Sequence, residues 1–233
     1  MRNLLSRCAT FGVLWLPLSL QAIDRQPSFN CGSVQPGSTE ELVCQNSELS
    51  TLDSQLDEVY RAALAIDEQS PQPSLKTLQR GWIKGRNDCW KADDQKLCIQ
   101  ESYQSRIAEL QALYRLVQPD SLVSYQCSEN QADEIVISFF PTHPNTAILE
   151  RGDRSYLLFQ QKDSDKKLFQ GQNEQLTVEG NDVTATLEYQ GPLLHCSKQT
   201  RMHPSWDLDR DGINDCEKDG SCDHTIDYSQ PRA

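Results

Sequence analysis

The chain of 233 residues carries 22 basic and 34 acidic side chains, for a formal net charge of −12, and only 37% of its residues are hydrophobic. This length allows one large domain or two small ones. Such an acidic surface excludes nucleic acid and anionic membranes as good partners but favours a strongly cationic protein, because opposite fields speed encounter. Many exported proteins are acidic for solubility alone, so charge by itself indicates little about the partner.

Residues 1–22 have the composition of a secretory signal peptide. Arg2 and Arg7 precede the apolar stretch 11–20, and Gln21-Ala22 follows it, which predicts cleavage after Ala22. Cys8 lies before the apolar stretch, which argues against a lipoprotein cysteine, so we expect no stable membrane anchor. Loss of the two arginines leaves 20 basic against 34 acidic residues, a charge of −14. The sequence therefore predicts a periplasmic or secreted protein.

Eight cysteines remain after this segment. An even number of cysteines in an exported chain predicts disulfides. Metal ligation by the thiols is the alternative, but the sequence has no CxxC pair and the compartment is oxidising. Sequential pairing is the simplest arrangement, which gives Cys31–Cys44, Cys89–Cys98, Cys127–Cys196 and Cys216–Cys222.

Residues 23–118 have the apolar periodicity of helices. Stretch 36–41 offers a cap and an acidic first turn, a second helix ends before Pro71, a third starts after Ser74 and a fourth follows Asp94. Stripes this narrow predict a small bundle, in which two disulfides compensate for a small core. The aligned positions are Leu49, Leu52, Leu56, Val59 and Ala63, then Leu75, Leu78, Trp82 and Cys89, then Ile99, Tyr103, Ile107, Leu110 and Tyr114.

This helical part resembles the LprI-type lysozyme-inhibitor family. The resemblance rests on five segments with all four cysteines in register: Pro27 to Cys31, Glu41 to Cys44, Leu49 to Asp53, Gly81 to Cys89, and Cys98 followed by Tyr103 and Arg106 to Leu110. It implies an exported helical domain and, for some members, a link to lysozyme inhibition. We expect Trp82, Tyr103 and Ile107 in the core, and Arg86 and Arg106 paired with acidic neighbours.

Between Tyr125 and Cys196, short stretches alternate apolar and polar side chains. This period is typical of antiparallel strands with one wet face, and closely spaced turn formers indicate a small barrel or sandwich. The clearest stretch is 182–189, where one face carries Val183, Ala185, Leu187 and Tyr189. The other predicted strands are 134–139 and 175–178, and the turns are at 141, 144–145, 152–153, 171–173, 180–181 and 191–192.

Three segments of this part resemble the membrane-bound or periplasmic (MliC/PliC-like) inhibitors of C-type lysozyme. They are Tyr125-Gln126-Cys127, the stretch 164–171, and Tyr189-Gln190-Gly191 running on to Cys196. That family folds as a small antiparallel β-barrel whose ends a disulfide joins, and it blocks lysozyme by pushing a loop into the catalytic cleft. The resemblance therefore implies a barrel at 122–198 and C-type lysozyme as the partner.

The loop that would enter the cleft lies before Phe169. The catalytic cleft of C-type lysozyme contains one protonated and one ionised carboxyl group. In the inhibitor family, the hydroxyl of a serine in a Ser-Gly-x-x-aromatic motif hydrogen-bonds to them. Counting back from Phe169 places Asp165 at the serine position and Lys166 at the glycine, and a third carboxylate facing two others is repulsive. We prefer a shift by one residue, which presents Ser164 with Lys166 or Lys167 supplying charge and turns Asp165 towards cationic groups on the cleft rim.

The alternative for this loop is a charged, solvated hairpin from Lys162 to Lys167. At the close of the barrel, Tyr189 and Gln190 are assigned to the barrel rim, with Tyr189 expected as a core or strand residue there and Gln190 as a rim contact. Both assignments rest on the positions of these residues in the alternating stretch 182–189 and directly after it.

The acidic tail, residues 199–233, contains a calcium-loop pattern. Carboxylates stand at loop positions one, three, five and nine, with glycine at six and a carbonyl at seven. The stretch resembles the loops of thrombospondin type 3 repeats and dockerins, but Lys218 replaces the bidentate glutamate at position twelve. The alternative is a disordered acidic tail held by Cys216–Cys222. The predicted ligands are Asp207, Asp209, Asp211, Ile213 through its carbonyl, and Asp215.

The sequence lacks the motifs of common enzymes: HExxH, GxSxG, a P-loop or a dinucleotide fingerprint. We therefore predict an α+β protein that is not an enzyme, in which a helical bundle precedes a small antiparallel barrel and a tail. The favoured function is inhibition of lysozyme by occlusion of its cleft. The alternative is a calcium-stabilised envelope binding or scaffold module with another partner.

Overall fold

The computed structural model has the predicted α+β class, with helices preceding an eight-stranded antiparallel barrel. The predicted signal peptide, Ser164, Asp165, Lys166, Asp211 and Ile213 lie outside the described residues. No helix among the described residues has both the length and the apolarity to cross a bilayer. The structure describes residues 26–67, 74–128, 130, 132–162, 167–198, 204–209, 214–223, 225–226, 228 and 232.

Four α-helices form the first part. Three of them begin at side-chain caps, because Ser38, Asn46 and Asp94 each accept a hydrogen bond from the backbone N–H three residues further along the chain. The cysteine pairs join a short 3₁₀ turn to the helix that follows it, as Cys31–Cys44 and Cys89–Cys98. The helices are α1 Thr39–Gln45, α2 Ser47–Asp67, α3 Leu75–Asn87 and α4 Gln95–Leu113, and the turns are Cys31–Ser33 and Asp88–Lys91.

The core of the bundle lies between α2, α3 and α4. Tyr103 and Ile107 are buried, as predicted, and Trp82 packs against the cluster from its edge. Leu78, expected on the same stripe, is 49% exposed. The prediction was wrong for Leu78 because the buried line of α3 follows Leu75, Trp82 and Arg86, and position 78 lies to one side of that line on the helix.

Eight antiparallel strands close into a barrel in which each strand pairs with its sequence neighbours. The seam between β1 and β8 is short, with Tyr125 opposite Lys198 and Gln126 opposite Ser197. The disulfide Cys127–Cys196 lies beside that seam. The strands are β1 Ser121–Gln126, β2 Glu134–Phe140, β3 Thr146–Arg151, β4 Arg154–Gln160, β5 Lys167–Gln170, β6 Gln175–Glu179, β7 Asp182–Thr186 and β8 Leu194–Lys198.

The last predicted strand is shorter than its pattern suggested. β7 ends at Thr186, and the chain then turns, with the N–H of Gly191 donating to the carbonyl of Glu188 at 3.0 Å. Tyr189 is 77% exposed as a result. The expectation that Tyr189 lies in the core or a strand was therefore wrong, because the turn removes it from the apolar face that Val183 and Ala185 share.

Helix α4 packs on the outside of the barrel. Ala112 on the helix and Phe140 and Ile148 on the strands form a buried cluster. The Arg115 guanidinium lies 5.1 Å from the centroid of the Phe140 ring and donates a hydrogen bond to the Ser138 hydroxyl at 3.3 Å. The two parts therefore share a small apolar interface, and the helix covers one outer face of the sheet.

Candidate functional site

A polar network inside the helical part has the Asp53 carboxylate at its centre. Asp53 lies on the same face of α2 as Leu49 and Leu56 and is only 7% exposed. Its Oδ2 accepts hydrogen bonds from the backbone N–H and the hydroxyl of Ser28, both at 2.7 Å. Its Oδ1 accepts one from the Tyr103 hydroxyl at 2.8 Å. Three neutral donors thus satisfy a carboxylate that has little access to water.

Arg86 connects this network to α1. Its buried guanidinium donates to the Tyr103 hydroxyl and to Glu40 Oε1, both at 2.5 Å. It also donates to Asn87 Oδ1 through Nε at 3.1 Å and Nη2 at 2.8 Å. The ion pair with Glu40 confirms that Arg86 pairs with an acidic neighbour. Glu40 neutralises the charge of this buried guanidinium. Because the planar guanidinium donates in fixed directions, its hydrogen bonds also orient the acceptors around it.

Tyr103 lies between the two charged groups. Burial raises the pKa of its hydroxyl well above the ordinary value, and the nearby Arg86 opposes that rise only in part. The hydroxyl therefore keeps its proton, donates to Asp53 and accepts from Arg86. The Tyr103 ring meets Trp82 edge to face, with 5.3 Å between the ring centroids, and the Arg86 guanidinium lies 5.5 Å from the Trp82 centroid.

A pocket of about 390 Å³, which we call the helical pocket, opens beside this network. The partly exposed side chains Phe29, Tyr60 and Trp82 supply its aromatic lining. The carboxylates of Glu40, Asp53 and Asp57 and the guanidinium of Arg86 supply its charged groups. The pocket thus combines aromatic faces with an excess of negative charge.

A second polar cluster closes the bundle at the end of α2. The Asp67 carboxylate accepts hydrogen bonds from the backbone N–H of Leu75 at 2.8 Å and from the Tyr114 hydroxyl at 3.0 Å. Burial, with the bond to Asp67, raises the pKa of Tyr114 to about 12. Arg106 pairs with Glu109 at 2.7 Å, which confirms its predicted acidic partner. The Asp67 contacts join the end of α2 to the start of α3 and the end of α4, so we assign them to stability rather than to binding.

The connection between β4 and β5 contains the loop that the barrel resemblance singles out. Lys167 is exposed, and its ammonium lies 5.8 Å from the Phe139 ring centroid. On the other side, Lys162 Nζ is 3.8 Å from Glu101 Oε1 of α4. Phe169 is 2% exposed and packs against Phe139 in the barrel core. Phe169 therefore anchors the strand that follows the loop, and its side chain does not face solvent.

The turn that carries Tyr189 and Gln190 joins β7 to β8. Gln190 is exposed with a φ of 56°, in the left-handed region. A neighbouring pocket of about 540 Å³ includes Arg151 and Asp133, whose side chains pair at 2.6 Å. The hydrogen bond from Arg151 lowers the pKa of Asp133. This end of the barrel thus presents polar, paired side chains together with an exposed tyrosine.

Three of the predicted calcium ligands come together in the tail. Asp207, Asp209 and Asp215 each place a carboxylate oxygen within 4.8 Å of the others. The Lys218 ammonium donates to Asp209 Oδ2 at 2.5 Å and lies 3.7 Å from Asp215 Oδ1. The lysine that departs from the calcium-loop pattern therefore neutralises part of this cluster.

Comparison with known proteins places the helical part in a family. Its residues 31–110, which include Cys31, Cys44, Cys89 and Cys98 and most of the Asp53 network, match the family described as "Lysozyme inhibitor LprI". Residues 31–110 form an LprI-family domain. That family is one of enzyme inhibitors, in agreement with the prediction that the chain is not itself an enzyme. The resemblance of residues 122–198 to the inhibitors of C-type lysozyme stays a prediction.

Relatives match the chain over a longer stretch than the family model does. The proteins named "Lipoprotein LprI" from Mycobacterium bovis and Mycobacterium tuberculosis are each 27% identical to it over 154 residues. The match covers 61% of this chain and 77% of each relative. No solved structure matches the chain.

The network of Ser28, Glu40 and Asp53 was not predicted from the sequence, although Ser28 and Asp53 lie in segments that carry the family resemblance. One signal was present: Asp53 interrupts the apolar face of α2 between Leu49 and Leu56. An acidic residue on a buried helix face requires donors, and Tyr103 and Arg86 stand on the buried faces of the two partner helices. Which donor reaches Asp53 is decided by how the helices cross.

Proposed function

We propose that this protein is an exported inhibitor of lysozyme and that it binds enzymes of the C type. The observation that carries the proposal is the match of residues 31–110 to the family "Lysozyme inhibitor LprI". Export agrees with the four disulfides and with the relatives, whose names call them lipoproteins. The net charge of −12 also supports a cationic partner, since opposite charge speeds association.

In this proposal the β4–β5 connection occludes the catalytic cleft. Phe169 anchors one end in the barrel core, and at the other end Lys162 Nζ lies 3.8 Å from Glu101 Oε1 of α4. The segment between them contains Ser164 and Lys166. A hydroxyl hydrogen-bonds both members of a carboxyl pair, and an ammonium pairs with the ionised one. Such a loop would bind both catalytic carboxyl groups of the enzyme, and it contains no glycosidic bond that the enzyme could cleave.

Turbidity of a bacterial cell-wall suspension with C-type lysozyme and the purified mature protein tests the function. We expect stoichiometric inhibition. If the enzyme clears the suspension equally fast with the protein in excess, the proposed function is wrong. A g-type lysozyme measured in parallel tests the class, because equal inhibition of both enzymes contradicts the C-type assignment.

The double variant Ser164→Ala with Lys166→Ala tests the loop. We expect an inhibition constant about thirtyfold higher, because two contacts at the centre of an interface together contribute about 2 kcal/mol or more. The matched control changes Ser155 and Lys198 to alanine, which alters the same residue types at exposed positions outside the loop. If both double variants inhibit equally well, the loop does not enter the cleft.

The second candidate is a calcium-stabilised envelope module with a partner other than lysozyme. The grouping of Asp207, Asp209 and Asp215 favours it. Calcium would have to displace the Lys218 ammonium from Asp209. One unpaired loop of this kind is expected to bind at roughly millimolar concentration.

Scanning calorimetry with 10 mM Ca²⁺ and with a chelator tests this candidate. At about ten times the dissociation constant we expect a stabilisation of about 1.4 kcal/mol in the transition of the tail. Asp209→Asn should remove the effect, and Glu179→Gln, an exposed carboxyl change in the barrel, should retain it. Identical transitions with and without calcium would exclude the calcium site.

A further inference from the structure

The helical pocket has the composition of a receptor for a positively charged group. Three of its lining residues carry carboxylates, namely Glu40, Asp53 and Asp57, whereas Arg86 is the one cation in the lining that the structure describes. Phe29, Tyr60 and Trp82 add aromatic faces. Aromatic rings attract cations through their negative faces, so both elements of the pocket favour the same type of guest.

The existing hydrogen bonds leave this negative charge only partly compensated. Arg86 is committed to Glu40, Tyr103 and Asn87. The groups that donate to Asp53 are neutral. These contacts place a rigid carboxylate deep in the pocket and hold it there before any ligand arrives.

Asp57 is the carboxylate of the pocket that is free to change partners. It pairs with Arg61 at 2.7 Å on the same helix, but the Arg61 side chain is 75% exposed. An ion pair of this kind contributes little to stability, because water screens it and two side chains lose freedom. A ligand cation can therefore take the place of Arg61 at small cost.

We propose that the helical pocket receives an arginine or lysine side chain of the bound lysozyme. This inference rests on the proposed function and adds to it a second contact, made by the helical part while the barrel loop occupies the cleft. The guest's charge meets Asp57 and Glu40 at the pocket's partly exposed edge, and its aliphatic stem lies against Tyr60 and Trp82. A neutral apolar guest would bury these carboxylates without compensation, which is unfavourable.

Inhibition kinetics with Asp57→Asn test the contact. We expect the inhibition constant to rise roughly five- to tenfold, as for a charge pair that loses one partner at an interface. Asp88→Asn is the matched control, because Asp88 is an exposed carboxylate outside the pocket that pairs locally with Lys91. The control shares the change in net charge, so a general loss of electrostatic attraction affects both variants equally. Equal constants for the two variants would overturn the proposal.

A titration without lysozyme tests the pocket independently of the proposed function. Nα-acetyl-arginine amide is added to the mature protein, and amide and indole shifts are followed by NMR. We expect shifts centred on Trp82 and Tyr60 that Asp57→Asn weakens. The citrulline analogue has nearly the same shape without the charge and should cause no such shifts.

The two measurements separate the possible failures. If the wild-type protein does not inhibit lysozyme but the arginine amide binds in the pocket, the proposed function is wrong and the cation site stands. If the protein inhibits lysozyme but neither the variant nor the titration shows a specific effect, the function stands and the pocket proposal is wrong. If neither inhibition nor binding is observed, both are wrong.

Discussion

Replacing Asp53 by alanine is expected to lower the free energy of unfolding of the helical part by about 3 kcal/mol. The substitution leaves the hydroxyls of Ser28 and Tyr103 without their acceptor. The Tyr103 hydroxyl, which also accepts a hydrogen bond from Arg86, then loses the carboxylate that orients it. Urea unfolding followed by circular dichroism at 222 nm measures the effect, because this signal comes mainly from the helices.

Asp57→Ala is the control for this experiment, since it removes the same functional group one turn further along α2. Its ion pair with Arg61 is largely exposed, so we expect a loss below about 1 kcal/mol. Tyr103→Phe, alone and combined with Asp53→Ala, completes a double-mutant cycle. If the two substitutions add without coupling, Asp53 does not act through the Tyr103 hydroxyl. Equal losses for the Asp53 and Asp57 variants would refute a central role for the network.

Replacing Cys127 and Cys196 by serine is expected to destabilise the barrel by about 4 kcal/mol. The two cysteines are 69 residues apart, and a crosslink that closes so long a loop removes much of the conformational freedom of the unfolded chain. The disulfide also lies beside the seam of β1 and β8, where few residues pair. Opening of that seam would expose the core around Ile135 and Leu149.

Hydrogen exchange of the barrel amides is the appropriate measurement, since Trp82, Trp90 and Trp206 lie outside the barrel strands and report on it poorly. We expect protection to fall throughout β1 to β8. The control replaces Cys216 and Cys222, which are only six positions apart in the tail, and should leave barrel protection unchanged. Unaltered exchange in the Cys127 and Cys196 variant would show that strand pairing alone closes the barrel.

The turns and helices could be predicted because their signals are local. Ser38 and Asp94 cap helices through bonds to residues three positions away, and the sequence shows both partners. Gly152 and Gly180 occupy turns with positive φ, a conformation that other residues rarely adopt. The disulfides of the structure are also those of simple sequential pairing.

Strand β3 shows why other elements were missed. A strand with one wet face alternates apolar and polar residues, but Thr146 to Leu149 are all buried. The inner face packs in the barrel through Ala147 and Leu149, and the outer face is covered by α4 through Ile148. Helix α4, which buries the outer face of β3, comes from a distant part of the chain. The residues of β3 therefore carry no local pattern that predicts a strand.

The helices, the turns and the acidic character of the protein could be predicted because each depends on residues near one another or on composition, whereas the cysteine pairs followed only from the simplest sequential order. Three features could not be read from the sequence: the contact of Asp53 with Tyr103, the exposed position of Tyr189, and the pocket in which three carboxylates lie beside aromatic rings. These features depend on how helices cross and where strands end. Contacts between residues about 50 positions apart, such as Asp53 and Tyr103, arise only when the packing of the whole domain satisfies buried polar groups.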